Sequence, residues 1–201
     1  GYTHCCIEDI SIMRSIPGIT ILSPADSGET AKAINAALNY NKPTYIRLSG
    51  GTNNPIVYKN DYDFKISKGV KLEDGKDIAI IATGTMVHKA LEARKKLKEQ
   101  KIDCSVTNIH TISPIDKDLI EELAMNSKLL VSIEEHNIQG GLGTAISEIN
   151  TKLKNSAPQL FIGIPPKYSE AGDYHFLLDK FGLTSEKITE KIFDEFSKRI
   201  K

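Results

Sequence analysis

The stretch "DIAIIATG", residues 77–84, is apolar without interruption from Ile78 to Ala82. A strand with one face in water alternates apolar and polar side chains, so a continuous run predicts a strand covered on both faces. The residues that follow have a different period. In "TMVHKALEARKKLKEQ" (85–100) Val87, Ala90, Leu91, Arg94 and Leu97 recur at helical spacing with charges between them. The alternation then repeats: strand "IDCSVTNI" (102–109), helix "SPIDKDLIEELAMNS" (113–127) entered near Ser113 or Asp116, strand "KLLVSIEE" (128–135), helix "GGLGTAISEINTKLKN" (140–155) and strand "PQLFIGIP" (158–165). The chain closes on "DYHFLLDKFG" (173–182) and on a helix from 185 with Ser185 as its expected N-cap. Strands and helices in this order predict an α/β fold: a mostly parallel five-stranded sheet with helices on both faces, its edge strand being an antiparallel "GVKLE" (69–73).

The first sixty residues read as a separate, incomplete piece. A helical "CCIEDISIMRSI", a strand "ITILSP", a helix "DSGETAKAINAALNY" and a strand "PTYIRLS" are too few elements to close a parallel sheet around their own core. Asp26 and Glu29 are spaced as a capping box, and Ala31, Ile34, Ala37 and Leu38 are the expected buried stripe. The predicted organisation is a partial α/β domain over 1–60, a Gly-, Asn- and Asp-rich linker with the edge strand over 61–75, and a complete domain over 76–201.

Bulk composition narrows the function. A chain of 201 residues can bury a real core, and 26 basic side chains balance 26 acidic ones with no concentrated basic patch, which argues against a nucleic-acid partner. No apolar run approaches the ~20 residues of a membrane helix. Three cysteines, Cys5, Cys6 and Cys104, make neither a disulfide framework nor a Cys-x-x-Cys metal spacing, so a reducing cytoplasm is expected. No secretory signal opens the chain, although an N-terminus lying further upstream would carry any such signal with it.

Several residues invite chemistry. Glu134, Glu135 and His136 stand at the carboxyl end of a predicted strand, just before "GGLG", where open α/β sheets bind ligands and where loop amides can hold an anion. Adjacent strand residues face opposite ways, however, so the two carboxylates are not expected to converge, and the glycines equally allow close packing of helix on strand. Gly84 lacks the Lys-Ser or Lys-Thr of a P-loop and reads as a turn. His4, His88, His110, His136 and His175 never fall at H-x-x-x-H spacing, and no G-x-S-x-G elbow is present. His88 is expected on a helix, one residue off its apolar stripe, as a surface or boundary residue, and Cys5 and Cys6 as small buried hydrophobes, an activated thiolate beside His4 being the alternative.

Taken in order, the motifs resemble those of the transketolase family. "GYTHCCIEDISIMRSIPGITILSPAD" resembles the late part of a pyrimidine-binding domain, with Gly1, Thr3, His4, Glu8, Arg14, Pro17, Pro24, Asp26 and Glu29 in register. "DIAIIATGTMVHKALEARKKL", "ISPIDKDLI", "SIEEHNIQGGLGTAISE" and "YSEAGDYHFLLDKFGLTSEKI" resemble the C-terminal domain of the same superfamily, in the style of small subunits of split bacterial transketolases. The resemblance spans essentially the whole chain. It implies an enzyme that uses thiamine diphosphate and Mg2+ to move a two-carbon ketol unit from a ketose to an aldose, the cofactor supplying the carbanion chemistry. His4 matches a histidine that contacts sugar oxygens, a task suited to imidazole.

The family's Gly-Asp-Gly metal motif and its cofactor-activating glutamate have no counterpart here, so the resemblance implies a C-terminal section, inert alone. It would work as a homodimer or with an N-terminal section or subunit, on sugar or sugar-phosphate substrates. In "RLSGG" (47–51) Gly50 replaces the arginine that binds sugar phosphate in the family, while Arg47 matches the first arginine of the deoxyxylulose phosphate synthase motif and is a candidate substrate contact. Losing a bidentate phosphate donor predicts an altered donor or acceptor, such as a sugar without the usual terminal phosphate or with a larger activating group, as in surface-sugar biosynthesis. The alternatives are a deoxyxylulose phosphate synthase, a 2-oxo acid dehydrogenase β subunit, or a non-catalytic dimerisation domain. "THCCIEDI" favours transketolase over the synthase, which prefers a second histidine and a glycine after the first.

Overall fold

A computed structural model describes residues 6–49, 54–168 and 171–200. In chain order its elements are α1 (Asp9–Arg14), β1 (Thr20–Leu22), α2 (Ser27–Leu38), β2 (Thr44–Ile46), β3 (Val70–Glu73), β4 (Ile78–Ala82), α3 (Met86–Glu99) and β5 (Cys104–Asn108). They continue with β6 (Thr111–Ser113), α4 (Lys117–Asn126), β7 (Leu129–Asn137), α5 (Leu142–Asn150), β8 (Gln159–Ile164), α6 (Tyr174–Phe181) and α7 (Ser185–Ile200).

The larger sheet has the order β3-β5-β4-β7-β8, parallel throughout except for the antiparallel edge strand β3. β4 lies at its centre, and all five of its residues are buried. Ile78, Ile80 and Ala82 point into one core with Val87, Ala90 and Leu97 of α3 and Ile188, Ile192 and Phe196 of α7. Ala79 and Ile81 point into the other, with Leu119, Ile120 and Leu123 of α4 and Leu142 and Ile146 of α5. The unbroken apolar run therefore reflects two covered faces, as strand alternation requires. Asp116 caps α4, accepting from the Leu119 amide. For α7 the cap lies one residue before the expected Ser185: the Thr184 hydroxyl accepts from the Lys187 amide, a displacement of the size by which helix ends differ between local signals and packed structure.

The smaller sheet, β2-β1-β6, explains how the N-terminal elements find a core. β1 pairs in parallel with β2 and antiparallel with β6, which the later domain supplies. Ile10, Ile21 and Ile112 close the cluster beneath it. Asp26 accepts from the Glu29 amide, and the Glu29 carboxylate reaches back to the Ala25 amide at 2.6 Å, so the capping-box spacing operates.

The stripe expected on α2 is corrected. Ile34 and Leu38 are exposed, at 42% and 77%, and the helix buries Glu29 and Ala33 instead. The Glu29 carboxylate accepts from the hydroxyls of Tyr58 and Tyr62 and from the Asn108 amide, so the polar group that this face of the helix buries is supplied with donors. The start of the segment expected as a linker is thus strapped to α2 by two stacked tyrosines, Tyr58 just before it and Tyr62 within it. No described helix is long and apolar enough to cross a membrane.

Candidate functional site

The carboxyl end of β7 is where the two pieces of the chain meet. Its pairing with β8 shifts register between Ile133 and Asn137, so Glu134, Glu135 and His136 lie where the ladder loosens. Glu134 and Glu135 point to opposite faces, as expected. Glu134 is 1% exposed and accepts from the amides of Leu142 and Gly143 at 2.7 and 2.9 Å. The anion held by the "GGLG" amides and the α5 N-terminus is thus the chain's own carboxylate. Burial pushes the Glu134 carboxyl up to about 7, against the pull of those two amides and, more weakly, of Arg47 and Arg14.

Glu135 faces the other way and accepts from the hydroxyls of Thr85 and Tyr174. His136 returns to the side of Glu134, fully buried, with Nδ1 2.7 Å from the Asn137 carbonyl and 3.6 Å from Glu134 Oε2. The carbonyl assigns the proton to Nδ1, which leaves Nε2 to accept from the Ser11 amide at 3.4 Å. Burial lowers the imidazole's affinity for a second proton.

The N-terminal piece is docked on this strand end by main-chain and side-chain contacts. The Asn137 amide donates to the Ile7 carbonyl at 2.8 Å. Arg14 donates to the Gly140 carbonyl at 2.8 Å and pairs with Glu148 at 2.9 Å. Gly140 adopts φ +79, and a Cβ there would stand 2.4 Å from Ser11 Cβ, so glycine meets both the turn and the close approach of α1.

Arg47 follows β2. Its Nε donates to Asp9 Oδ2 at 2.9 Å, and its Nη2 donates to the carbonyls of Glu135 and Cys6 at 3.0 and 3.4 Å. Tyr45 donates to the same Asp9 oxygen at 2.8 Å.

His4 and Gly50 lie outside the described residues, as does Cys5. Cys6 is described and corrects the expectation of a buried thiol: it is exposed, its Sγ 3.5 Å from Glu8 Oε2. A side chain beside a short helix at the surface has no core to enter. His88 lies on α3, part-buried beside the apolar stripe, its Nδ1 3.9 Å from Glu92 Oε1 and its side chain 27% exposed. Gly84 is a turn residue with φ +57. Among the described residues no group of three or more His, Cys, Asp or Glu is placed to hold a metal ion.

Asp9 and Asn137 carried no signal as site residues in the sequence: an aspartate in a helix's first turn reads as a dipole partner, and a backbone amide has no side-chain signature. The pairing of Asp9 with Arg47 depends on tertiary contact alone.

The doubly covered, mostly parallel sheet with its glycine-rich strand end defines an open α/β domain. The family model for the transketolase C-terminal domain matches residues 67–188, and that for the transketolase pyrimidine-binding domain matches residues 1–54. The chain belongs to the transketolase family. It is 36% identical over 200 residues to a putative transketolase C-terminal section from Methanocaldococcus jannaschii, covering 98% of this chain and 62% of that protein. It is 35% identical over 196 residues to a 1-deoxy-D-xylulose-5-phosphate synthase from Caldanaerobacter subterraneus, covering 98% of this chain and 32% of the synthase. A solved split-gene transketolase, described as an inactive β4 tetramer, superposes with a TM-score of 0.89 at 34% identity over 98% of this chain and 63% of that one. The chain thus spans under two thirds of the length of these relatives.

Proposed function

We propose that the chain is the C-terminal section of a transketolase-like enzyme, transferring a two-carbon ketol unit from a ketose to an aldose with thiamine diphosphate and Mg2+. The observation that carries this reading is the tandem match: the pyrimidine-binding model runs into the C-terminal model in one chain, and the Gly-x-Thr-His stretch lies within the first. His4 is the proposed contact to sugar oxygens near the reacting carbon, donating or accepting a hydrogen bond as the charge moves.

The residues that bind the metal and activate the cofactor are assigned to another section of the enzyme, so the isolated chain is inert. It acts in the cytoplasm, joined to that section and dimerised. Gly50, in place of the family's phosphate-binding arginine, points to an unusual sugar, since a guanidinium binds a phosphate through two parallel hydrogen bonds that glycine cannot supply.

Mixing the chain with its complementary section and measuring ketol transfer tests the proposal. Activity that depends on thiamine diphosphate and falls on His4→Ala is expected, and activity untouched by that substitution removes His4 from the mechanism. A low Michaelis constant for xylulose 5-phosphate would end the reading of Gly50. The identity to the synthase favours a second reading, deoxyxylulose phosphate synthesis, which condensation of pyruvate with glyceraldehyde 3-phosphate by the same mixture would support.

A further inference from the structure

β2 stands at the outer edge of the small sheet, with no strand beside it on that side among the described residues. The Thr20 amide donates to the Pro43 carbonyl and the Arg47 amide to the Leu22 carbonyl, both at 2.8 Å, so Pro43, Tyr45 and Arg47 turn their main chain toward β1. Neighbouring strand residues bond to opposite sides, which points the N–H and C=O of Thr44 and Ile46 away from the sheet. An edge strand is commonly protected by charge. β3, the antiparallel edge of the larger sheet, exposes Lys71 and Glu73, whereas β2 reads Thr-Tyr-Ile, three residues that favour strands, with neither a charge nor a proline among them.

The flank of the helix beside that edge is apolar. Lys32 of α2 is bonded to Asp61 and Tyr62 of the strap, which Tyr58 ties to Asn108 of the larger domain. That domain meets the small sheet on its β6 side. Two residues beyond Lys32, and so on the opposite flank of the helix, Ile34 is exposed, as is Leu38 one turn further on. Leu48, two residues past β2, is exposed as well. We propose that the outer edge of β2 is an interaction surface on which the complementary section of the enzyme lays a parallel strand, its side chains apolar where they meet Ile34 and Leu38. This rests on the reading of the chain as a C-terminal section. A parallel strand suits the edge because β1 and β2 already run parallel with a helix between them, and strands of such covered sheets are apolar on both faces. Relatives matched over 98% of this chain carry more than a third of their own length outside the match, which is room for such a strand.

The test is amide hydrogen exchange, read residue by residue, in the chain alone and in its assembly with the complementary section. In the chain alone the amides of Thr44 and Ile46 are expected to exchange within about tenfold of the unprotected rate, and that of Tyr45 far more slowly, because it alone of the three faces β1. In the assembly Thr44 and Ile46 are expected to slow by at least about a hundredfold, while Tyr45 stays slow. Thr44→Pro gives a second readout, since it removes an outward N–H at the first position of an edge strand, where proline is tolerated. The thermal midpoint of the chain alone is expected to move by less than about 4 °C. The dissociation constant of the assembly, from sedimentation velocity, is expected to rise between about fivefold and a hundredfold. If the proline variant fails to fold, exchange in the wild type decides alone.

Thr44 and Ile46 amides that stay fast in an assembly competent for ketol transfer overturn the proposal and leave the reading of the section standing. A folded Thr44→Pro variant that assembles as tightly as the wild type overturns it too. Slow exchange in the dilute chain alone would mean that the chain covers the edge itself, and slowing that appears only as the chain is concentrated would give the edge to a second copy. Either result overturns the proposal. Absence of both assembly and ketol transfer is a different failure: it removes the reading of the section first, and the added strand falls with it.

Discussion

Glu134 shows how little a motif says about its occupant. A glycine-rich turn feeding a helix N-terminus is a ready anion site, and here the anion is supplied eight residues upstream in the same chain. The carboxylate closes the loop on itself at the expense of ionising where water is excluded, which is why it titrates near neutrality. The sign of its effect on stability follows from that shift. The folded value, about 7, lies above the ordinary 4.5, so between those pH values the native state binds the proton more strongly than the unfolded chain. Its contribution is therefore fully present below pH 4.5 and lost as pH rises through 7, roughly 3 kcal/mol for a shift of that size. Glu134→Gln, which cannot ionise and leaves one helix amide without an acceptor, should cost about 1–3 kcal/mol at pH 5, with the gap to the wild type narrowing by pH 8. Urea unfolding of both proteins across that range checks this, and a gap independent of pH would mean that Glu134 is charged throughout.

At the scale of the element, the turn over 138–141 is built from close approaches. A Cβ on Gly141 would fall 1.9 Å from Glu134 Oε2 and 2.7 Å from His136 Nδ1, two groups that are themselves buried and held. Gly18, with φ +78 and nothing within 4 Å of a built Cβ, carries only the conformational demand. Gly18→Ala is thus expected to cost about 1 kcal/mol, the left-handed penalty for a residue with a side chain. Gly141→Ala should cost about 2–4 kcal/mol, because the carboxylate must leave its amides or the helix must shift. Denaturant midpoints of the two variants decide it, and equal losses would show that the loop gives way freely. α2 makes a related point: its hydrophobic spacing named one face, whereas a buried glutamate with tyrosine and asparagine donors selected another.

For the molecule as a whole, the N-terminal piece is neither a free tail nor a closed domain. β6 crosses over to complete its small sheet, and Ile112 joins Ile10 and Ile21 in one cluster, so the piece borrows both a strand and a core residue from the larger domain. Among the apolar surfaces it leaves uncovered is the outer face of α2, where Ile34 and Leu38 meet solvent. Replacing both with aspartate should cost the isolated chain about 1–2 kcal/mol, from helix propensity and the negative end of the α2 dipole and not from a lost core. The same pair should weaken assembly with the complementary section or a second copy, an expectation read by sedimentation velocity of the mixture. A sharp loss of stability without the partner would place these residues in the chain's own core instead.

The alternation of unbroken apolar strands with amphipathic helices made the five-stranded sheet, its antiparallel edge and its two covered faces readable from residues 69–165. Each of those signals is local: a period of two or 3.6 residues is written within a dozen positions, and burial on both faces shows as the absence of alternation. The order of the motifs likewise pointed to the family without coordinates. The site was far less legible. That Arg47 would meet the Glu135 carbonyl, 88 residues away, and that the Ser11 amide would meet His136 across 125, depends on how the small sheet seats against β7. So does the choice of which carboxylate is buried on amides and which α2 face is exposed. Such contacts are selected by the collective balance of desolvation against available donors, a quantity that exists once the elements are packed and leaves no period in the sequence.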